Sequence, residues 1–362
     1  MSNGSAGGGG SFTFPTRPAG STAARDRAEI TVKGHKFDDW ESVWVQLPAA
    51  EGWPFFRFTV AEREASAGIM NSVGQFQTLD ECTITMGGVK VIEGVIEVRQ
   101  VAYDAGSHHV ELQGRGLTAW PARSSVHVKN GELDGKTLEE ACKKALEGYK
   151  SQVKTVGKVP STKFDKIQVQ PGEMIWDFME RLARPRGVVL GIDHEGNFLL
   201  IGQNAQSSGG STDLIEGKNI KRMQCVFDDK DTYQHYITTG SNAGTDEHWG
   251  PKVSRELNAT YKGSQKQKCL LTTPIEHPVL SKEEIDQRCE YEAKQREYTS
   301  ITASVVVQGW FRTQDNLWWP NDVVHVKSPM CPLDQQLGIQ HVTFTQELNG
   351  GTQTTLDLVR PN

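Results

Sequence analysis

Nothing in this chain approaches the roughly 18 consecutive apolar residues of a membrane-spanning helix, and its apolar cluster Val188–Ile192 is far too short. No membrane span is expected. The first residues, Met1-Ser-Asn-Gly-Ser-Ala-Gly-Gly-Gly-Gly-Ser11, lack a charged region followed by an apolar one, so no secretory signal is expected, and folding in a cytoplasm is. Cysteine is sparse: Cys82, Cys142, Cys225, Cys269, Cys289 and Cys331 are scattered, with no CxxC pair and no Cys/His spacing suited to zinc. They read as mostly buried thiols rather than disulfides or metal ligands. An excess of positive charge is lacking too. The net charge of −6 argues against a protein that grips nucleic acid, because counterion release needs a basic surface, but it suits an acidic wall that DNA slides past. There is no Gly-x-Ser-x-Gly elbow and no P-loop, and Gly7–Gly10 does not sit between a strand and a helix, so nucleotide chemistry is not expected.

What is present is a chain of 362 residues, long enough for two or three domains, with 36% hydrophobic and 23% charged residues and 36 glycines, a composition that suits frequent chain reversal. Residues 1–25 are rich in Gly, Ser, Ala and Thr and carry only Phe12 and Phe14 as apolar anchors, which predicts a flexible tail. From Glu29 the pattern alternates with period two: Ile30 and Val32, then Val43, Val45 and Leu47, then Phe56, Phe58 and Val60, then Cys82, Ile84 and Met86. Val89–Ile92 follows, with a turn expected at Glu93-Gly94, then Val95–Tyr103 and Val110–Gln113. A first antiparallel β-barrel is expected over 26–117.

Residues 118–213 read as a small α+β domain. Thr137-Leu-Glu-Glu140 is a capping box opening an apolar stripe of Leu138, Ala141, Cys142, Ala145, Leu146 and Tyr149. A second helix carries Ile175, Phe178, Met179 and Leu182 on one face and stops at Pro185. A hairpin joins Val188–Ile192 to Phe198–Ile201 through a turn at His194–Asn197, and a flexible connector covers 206–212. Strands resume at Ile220–Phe227 and Tyr233–Thr239, and again at Ile301–Val307, Val323–Val326, Gly338–Gln346 and Thr354–Val359, so a second β-barrel is expected over 214–245 and 299–362. The insertion 246–298 holds one helix, with a capping box of Ser281 and Glu284, a stripe of Ile285, Cys289 and Ala293, and the pairs Glu284/Arg288, Glu290/Lys294 and Glu292/Arg296. The expected fold class is α+β, mostly β: two similar small antiparallel β-barrels, an inserted α+β domain and a further helical insertion.

The end of the chain echoes the beginning. Val89–Ile92, Gly94–Val101, a polar turn and Val110–Gln113 lie parallel in plan to Val323–Val326, Gly338–Phe344, Asn349-Gly-Gly351 and Thr355–Leu358. Two related barrels per chain would let three chains close a pseudo-sixfold ring.

No catalytic, cofactor-binding or metal-ligating residue is assigned. His108-His109 read as solvated histidines of a polar turn between strands, poorly placed to chelate one ion because neighbours on a strand point to opposite faces, and His235, His248 and His277 have no carboxylate or cysteine at ligand spacing. Two carboxylates could in principle cleave a glycoside of the cell wall, but Asp228, Asp229 and Asp231 read with Lys230 as a solvated turn with nothing nearby to raise a carboxyl pKa. Of Trp318 and Trp319, one is expected in the core and the other outward or at an interface, which gives a sugar-stacking module its only foothold.

Several segments in this order resemble the Mu-type phage tail protein family, which overlaps late control D proteins and the baseplate hubs of contractile tails. They are Trp40-Glu-Ser-Val-Trp-Val45, Gly94-Val-Ile-Glu-Val98, Val110-Glu-Leu-Gln-Gly-Arg-Gly116, Gly172-Glu-Met-Ile-Trp-Asp-Phe-Met-Glu-Arg-Leu182, Asn316-Leu-Trp-Trp-Pro-Asn-Asp-Val-Val324 and Thr355-Leu-Asp-Leu-Val-Arg-Pro361. The resemblance implies a homotrimeric torus of two barrel domains per chain in the virion baseplate, and the absence of catalytic and metal motifs adds the expectation of no enzymatic activity and no cofactor. The torus would lie between the tail tube or its initiator proteins and the central spike, meeting the tape measure and baseplate wedge proteins, with DNA passing through its lumen. A peptidoglycan hydrolase and a carbohydrate-binding tail-tip module are the alternatives.

Overall fold

The computed structural model describes residues 11–361, apart from 22, 51, 63–75, 105–107, 129–132, 165, 204, 206–211, 241–257 and 275–281. The alternating segments form strands in chain order. The first group is β1 (Ala28–Val32), β2 (His35–Phe37), β3 (Ser42–Pro48), β4 (Phe55–Glu62), β5 (Glu81–Met86), β6 (Val89–Tyr103) and β7 (His108–Gly116). The middle of the chain contributes β8 (Val153–Val156), β9 (Val189–Ile192) and β10 (Phe198–Ile201). The last group is β11 (Leu214–Ile215), β12 (Arg222–Phe227), β13 (His235–Thr239), β14 (Asn258–Lys262), β15 (Leu270–Pro274), β16 (Ile301–Gln308), β17 (Val323–Ser328), β18 (Leu333–Glu347) and β19 (Gly351–Val359). Helices span Ala119–Ala122, Leu138–Ala145, Ile175–Ala183 and Lys282–Tyr298, so the chain is a mostly β member of the α+β class.

The two β halves do not close into separate barrels. They share one 13-stranded sheet in the order β12-β16-β19-β18-β3-β4-β7-β6-β5-β1-β2, with β11 and β17 continuing beside β18. The reason lies in β3, which could have closed the first half on itself but is paired by β4 on one side and by β18 on the other, with Phe344 opposite Val45. One apolar core serves both halves, uniting Phe56, Phe58 and Ile84 with Trp310, Phe344 and Leu356. Nor does the chain turn at Glu93-Gly94. Strand β6 runs straight through, because Gly94 serves close approach: a Cβ there would lie 2.5 Å from the Arg115 carbonyl oxygen on β7.

Around the middle helices the local rules operate as the sequence implies. Thr137 Oγ1 accepts from the Glu140 amide at 3.3 Å and Glu140 Oε2 accepts from the Thr137 amide at 2.9 Å, closing the capping box. Helix Ile175–Ala183 buries Ile175, Phe178, Met179 and Leu182 in a core shared with Leu138, Cys142 and the strand residues Leu190, Phe198 and Leu200. Strand β10 pairs antiparallel with β9 and parallel with β8. Strand β13, expected in the second β half, pairs instead with β14 and β15 and packs its Tyr236 on Ile285, Cys289 and Ala293 of helix Lys282–Tyr298. Its alternation showed that one face is buried without showing by what. On that helix Lys294 pairs with Glu290 at 2.7 Å, while Glu292 pairs with Arg288, and Arg296 lies over the Tyr233 ring. The capping box of Ser281 and Glu284 lies outside the described residues, as does the Glu284 carboxylate of its pair with Arg288.

Within the expected flexible tail, Phe12 and Phe14 are packed, while most of residues 16–25 are exposed. Phe12 is buried against Val156 and Leu199, and Phe14 stacks on Trp319 with ring centroids 5.2 Å apart. Residues 1–10 lie outside the described residues.

The internal echo extends to the backbone, with a different alignment from the one expected. The first half pairs in the order β1-β5-β6-β7-β4-β3 and the second in the order β11-β17-β18-β19-β16-β12, so β17 corresponds to β5 and β18 to β6. Strands β6 and β18 each have 15 residues and break register against β7 and β19 at matching points, Ile96/Val98 and Ile339/His341. Before each break the same bonds recur. The Leu79 amide donates to Ile96 O at 2.7 Å and the Ile96 amide to Asp80 O at 3.0 Å; the Asn321 amide donates to Ile339 O at 2.9 Å and the Ile339 amide to Asp322 O at 2.8 Å. Leu79 and Asn321 both hold left-handed backbone, at φ 71 and 68°. The halves differ at their outer strand: β1 meets β5 antiparallel, and β11 meets β17 parallel.

Candidate functional site

The residues weighed for chemistry do not converge. Lys230 pairs with Asp228 at 2.8 Å, and this bond holds the Asp228 carboxyl below the usual carboxylate range, the opposite of what a general acid needs. The Asp229 carbonyl accepts the Thr232 hydroxyl at 2.8 Å, a turn contact. His109 lies half-buried on β7 and His235 half-buried at the start of β13; the His108 side chain, His248 and His277 lie outside the described residues. Among the described residues no group of three or more His, Cys, Asp or Glu side chains is placed to hold a metal ion. All six cysteines are free thiols, and burial pushes the Cys142 thiol up to about 12.

Trp318 and Trp319 are both buried, contrary to the alternation expected of them, because they lie in a loop outside any strand. The Trp318 ring faces the Arg312 guanidinium at 5.5 Å, and Arg312 pairs with Asp322 at 3.0 Å. Phe14 and His194 cover Trp319, with the His194 ring centroid 6.0 Å away. The sugar-stacking platform that an outward tryptophan would offer as the alternative reading is therefore not exposed.

Two cavities lie at junctions between units. One, of about 380 Å³, is lined by Phe12, Phe14, Lys154, His194, Trp319 and Asn321. Lys154 donates to Asp193 Oδ2 at 2.8 Å and Glu195 Oε2 at 2.5 Å; its bond holds the Glu195 carboxyl low, and burial lowers the His194 pKa. These groups are neutralised against one another, as befits a seam between packed units. His194 escaped the sequence reading because a turn histidine carries no pattern that marks it as buried. The other, a groove of about 280 Å³, exposes Leu79, Trp120 and Tyr149, with Arg123 lying over the Trp120 ring.

The most extensive feature is a pair of exposed strand edges. Among the described residues, β12 ends the large sheet and pairs with β16 alone, and it exposes Val226 and Phe227. Past its register break, β6 pairs among the described residues with β7 alone and exposes Val98, Val101 and Tyr103. Apolar edges with unpaired backbone groups are templates for another strand. What this arrangement can do is assemble.

The fold is that of phage tail proteins. The structure superposes with a TM-score of 0.78 on the crystal structure of a 43 kDa tail protein from prophage MuSo2 of Shewanella oneidensis, at 21% identity, covering 92% of this chain and 98% of that one. A tail protein of Neisseria meningitidis MC58 gives a TM-score of 0.75 at 19% identity, covering 92% and 96%. A component of the Escherichia coli type VI secretion system gives 0.53 at 10% identity, covering 92% and 76%. In sequence, residues 27–116 match the N-terminal domain of Mu phage baseplate assembly protein GpP-like proteins, 122–202 the second domain of baseplate hub protein gp44-like proteins, and 281–362 the fourth domain of GpP. Baseplate hub protein gp44 of Escherichia phage Mu is 23% identical over 284 residues, 76% of this chain and 74% of that protein. The chain is a Mu-type baseplate protein, a structural part of a phage tail.

Proposed function

We propose that this chain is the baseplate hub of a contractile tail. Three copies form a ring that joins the sixfold tail tube to the threefold central spike and surrounds the DNA channel. The observation that carries this reading is the duplicated strand plan, with the two halves joined edge to edge through β3 and β18. A chain made of two such units presents two near-equivalent positions, so three chains offer six to the tube and three to the spike. The net charge of −6 suits a lumen that DNA passes without binding.

In this reading the β units of 26–117 and of 214–227 with 299–362 form the ring. The unit of 118–213 and the insertion that carries β13, β14, β15 and helix Lys282–Tyr298 meet neighbours such as the wedge or tape measure proteins. The function resides in interfaces and needs no catalytic residue, cofactor or metal. Assembly takes place in the host cytoplasm and the product lies in the virion baseplate. Electron microscopy of the full chain, alone and with the spike, tests the proposal. A threefold ring with a central hole is expected, and monomers in both samples would overturn it.

A further inference from the structure

We infer that the exposed edge of β6 in one copy pairs antiparallel with β12 of the next copy, in the register that sets Val101 opposite Cys225. This rests on the ring reading and adds to it the strands and residue pairs that seal the ring.

The template is inside the chain. Strand β18 pairs with β3, setting Val342 opposite Leu47, Phe344 opposite Val45, Gln346 opposite Val43 and Glu347 opposite Ser42. The matching register breaks align Val98 with His341 and Val101 with Phe344. The ladders β3–β4–β7 and β12–β16–β19 likewise align Val43 with Met223, Val45 with Cys225 and Leu47 with Phe227. In each half, then, one strand has the form of β18 and one the form of β3, yet among the described residues a single pairing of the two kinds occurs within the chain. The remaining pair, β6 and β12, lie at opposite ends of the duplicated plan and can meet only between copies.

Exposure marks the same two strands. Phe344 is 0% exposed beneath the β3–β18 pairing, whereas its counterpart Val101 is 45% exposed; Leu47 is 3% exposed, whereas its counterpart Phe227 is 50% exposed. Five large apolar side chains, Val98, Val101, Tyr103, Val226 and Phe227, are exposed on these two strands.

Carrying the internal register across gives Arg99 opposite Phe227, Gln100 opposite Val226, Val101 opposite Cys225, Tyr103 opposite Met223 and Asp104 opposite Arg222. Four of these five pairs are chemically matched: a guanidinium on a ring, an apolar residue on a thiol, an aromatic on a methionine, and a carboxylate opposite a guanidinium. Because strand side chains alternate, a slip of one residue would set Val101 against the wrong face and forfeit all four.

Cross-linking tests the register. Residues directly opposite on antiparallel strands have Cα atoms about 4.5–5.5 Å apart, within disulfide range. In the full chain, Val101→Cys treated with diamide is expected to give covalent dimers and closed covalent trimers through the native Cys225, and Val101→Cys/Cys225→Ser to give none. Gln100→Cys, whose side chain points to the other face, is expected to give none. A second arm needs no new thiol: Arg222→Glu should lower the trimer fraction in native mass spectrometry at least tenfold, and Asp104→Arg added to it should restore the trimer. Trimers that form without the Val101 cross-link and without rescue, or that cross-link equally through Gln100→Cys, overturn the register and leave the ring standing. The loss of every ring, in native mass spectra and in images of assembled tails alike, would overturn the ring reading itself.

Discussion

Replacing Asp322 by alanine should destabilise the shared β core severely, for a reason set by the placement of one ion pair. Arg312 Nη1 donates to Asp322 Oδ2 at 3.0 Å, and both side chains are 2% exposed. Arg312 Nε and Nη2 are buried without a hydrogen-bond acceptor among the described residues, and burial lowers the Arg312 pKa. The guanidinium therefore depends on this carboxylate and on the Trp318 ring for compensation. Removing one partner of a buried pair leaves an uncompensated charge and costs about 3–5 kcal/mol, a shift of roughly two to four orders of magnitude in the folded-to-unfolded ratio. The double replacement Arg312→Met/Asp322→Leu removes both charges and should lie within about 1 kcal/mol of the parent or above it. Urea unfolding followed by tryptophan fluorescence reads both from the midpoint, provided the slope is unchanged. A cost below about 1 kcal/mol for Asp322→Ala would show that Arg312 finds water or another partner, and would refute the reasoning.

Three further outcomes are expected. Phe14→Ala removes the stack on Trp319, worth about 0.5–1.5 kcal/mol beyond area, so hydrogen exchange of the amides of residues 12–14, 16 and 17 should speed up by roughly two- to tenfold while the sheet amides stay protected. His341 and His194 both have pKa values lowered by burial, the first opposed by Asp357 and the second by Asp193. Their neutral forms are favoured by folding, so this stability is complete above about pH 6.5 and falls as the pH drops from there through the lower folded values. Urea midpoints at pH 7.5 and 5.5 should show the loss, and His341→Gln should reduce it. Gly114→Ala would set a Cβ 2.1 Å from Val95 O and 2.3 Å from Phe56 Cζ, and should cost about 1–3 kcal/mol or more by thermal unfolding.

Much of the local structure was legible because short-range chemistry decides it. The Thr137 box, the Ile175–Leu182 stripe and the alternation of Val43, Val45 and Leu47 appear where their residue patterns place them. The failures share a cause. Gly94 reads as a turn residue in the sequence, but it serves the approach of β7. Alternate faces for Trp318 and Trp319 follow from a rule that holds in strands, and the two lie in a loop. The alternation of Tyr233–Thr239 suits the second β half as well as the small sheet it joins, because a strand of alternating residues does not name its neighbour.

Periodicity, capping and the order of segments are properties of the chain, so the class of the fold and the family are legible in it, and the echo between its ends only suggests a duplication. That the halves are related, that they share one sheet instead of closing as two barrels, and which strand corresponds to which, emerge from packing in three dimensions. Packing alone leaves β6 and β12 as exposed edges. Pairing partners are chosen by contacts between residues hundreds of positions apart, such as Val45 and Phe344, and a period of two is blind to them.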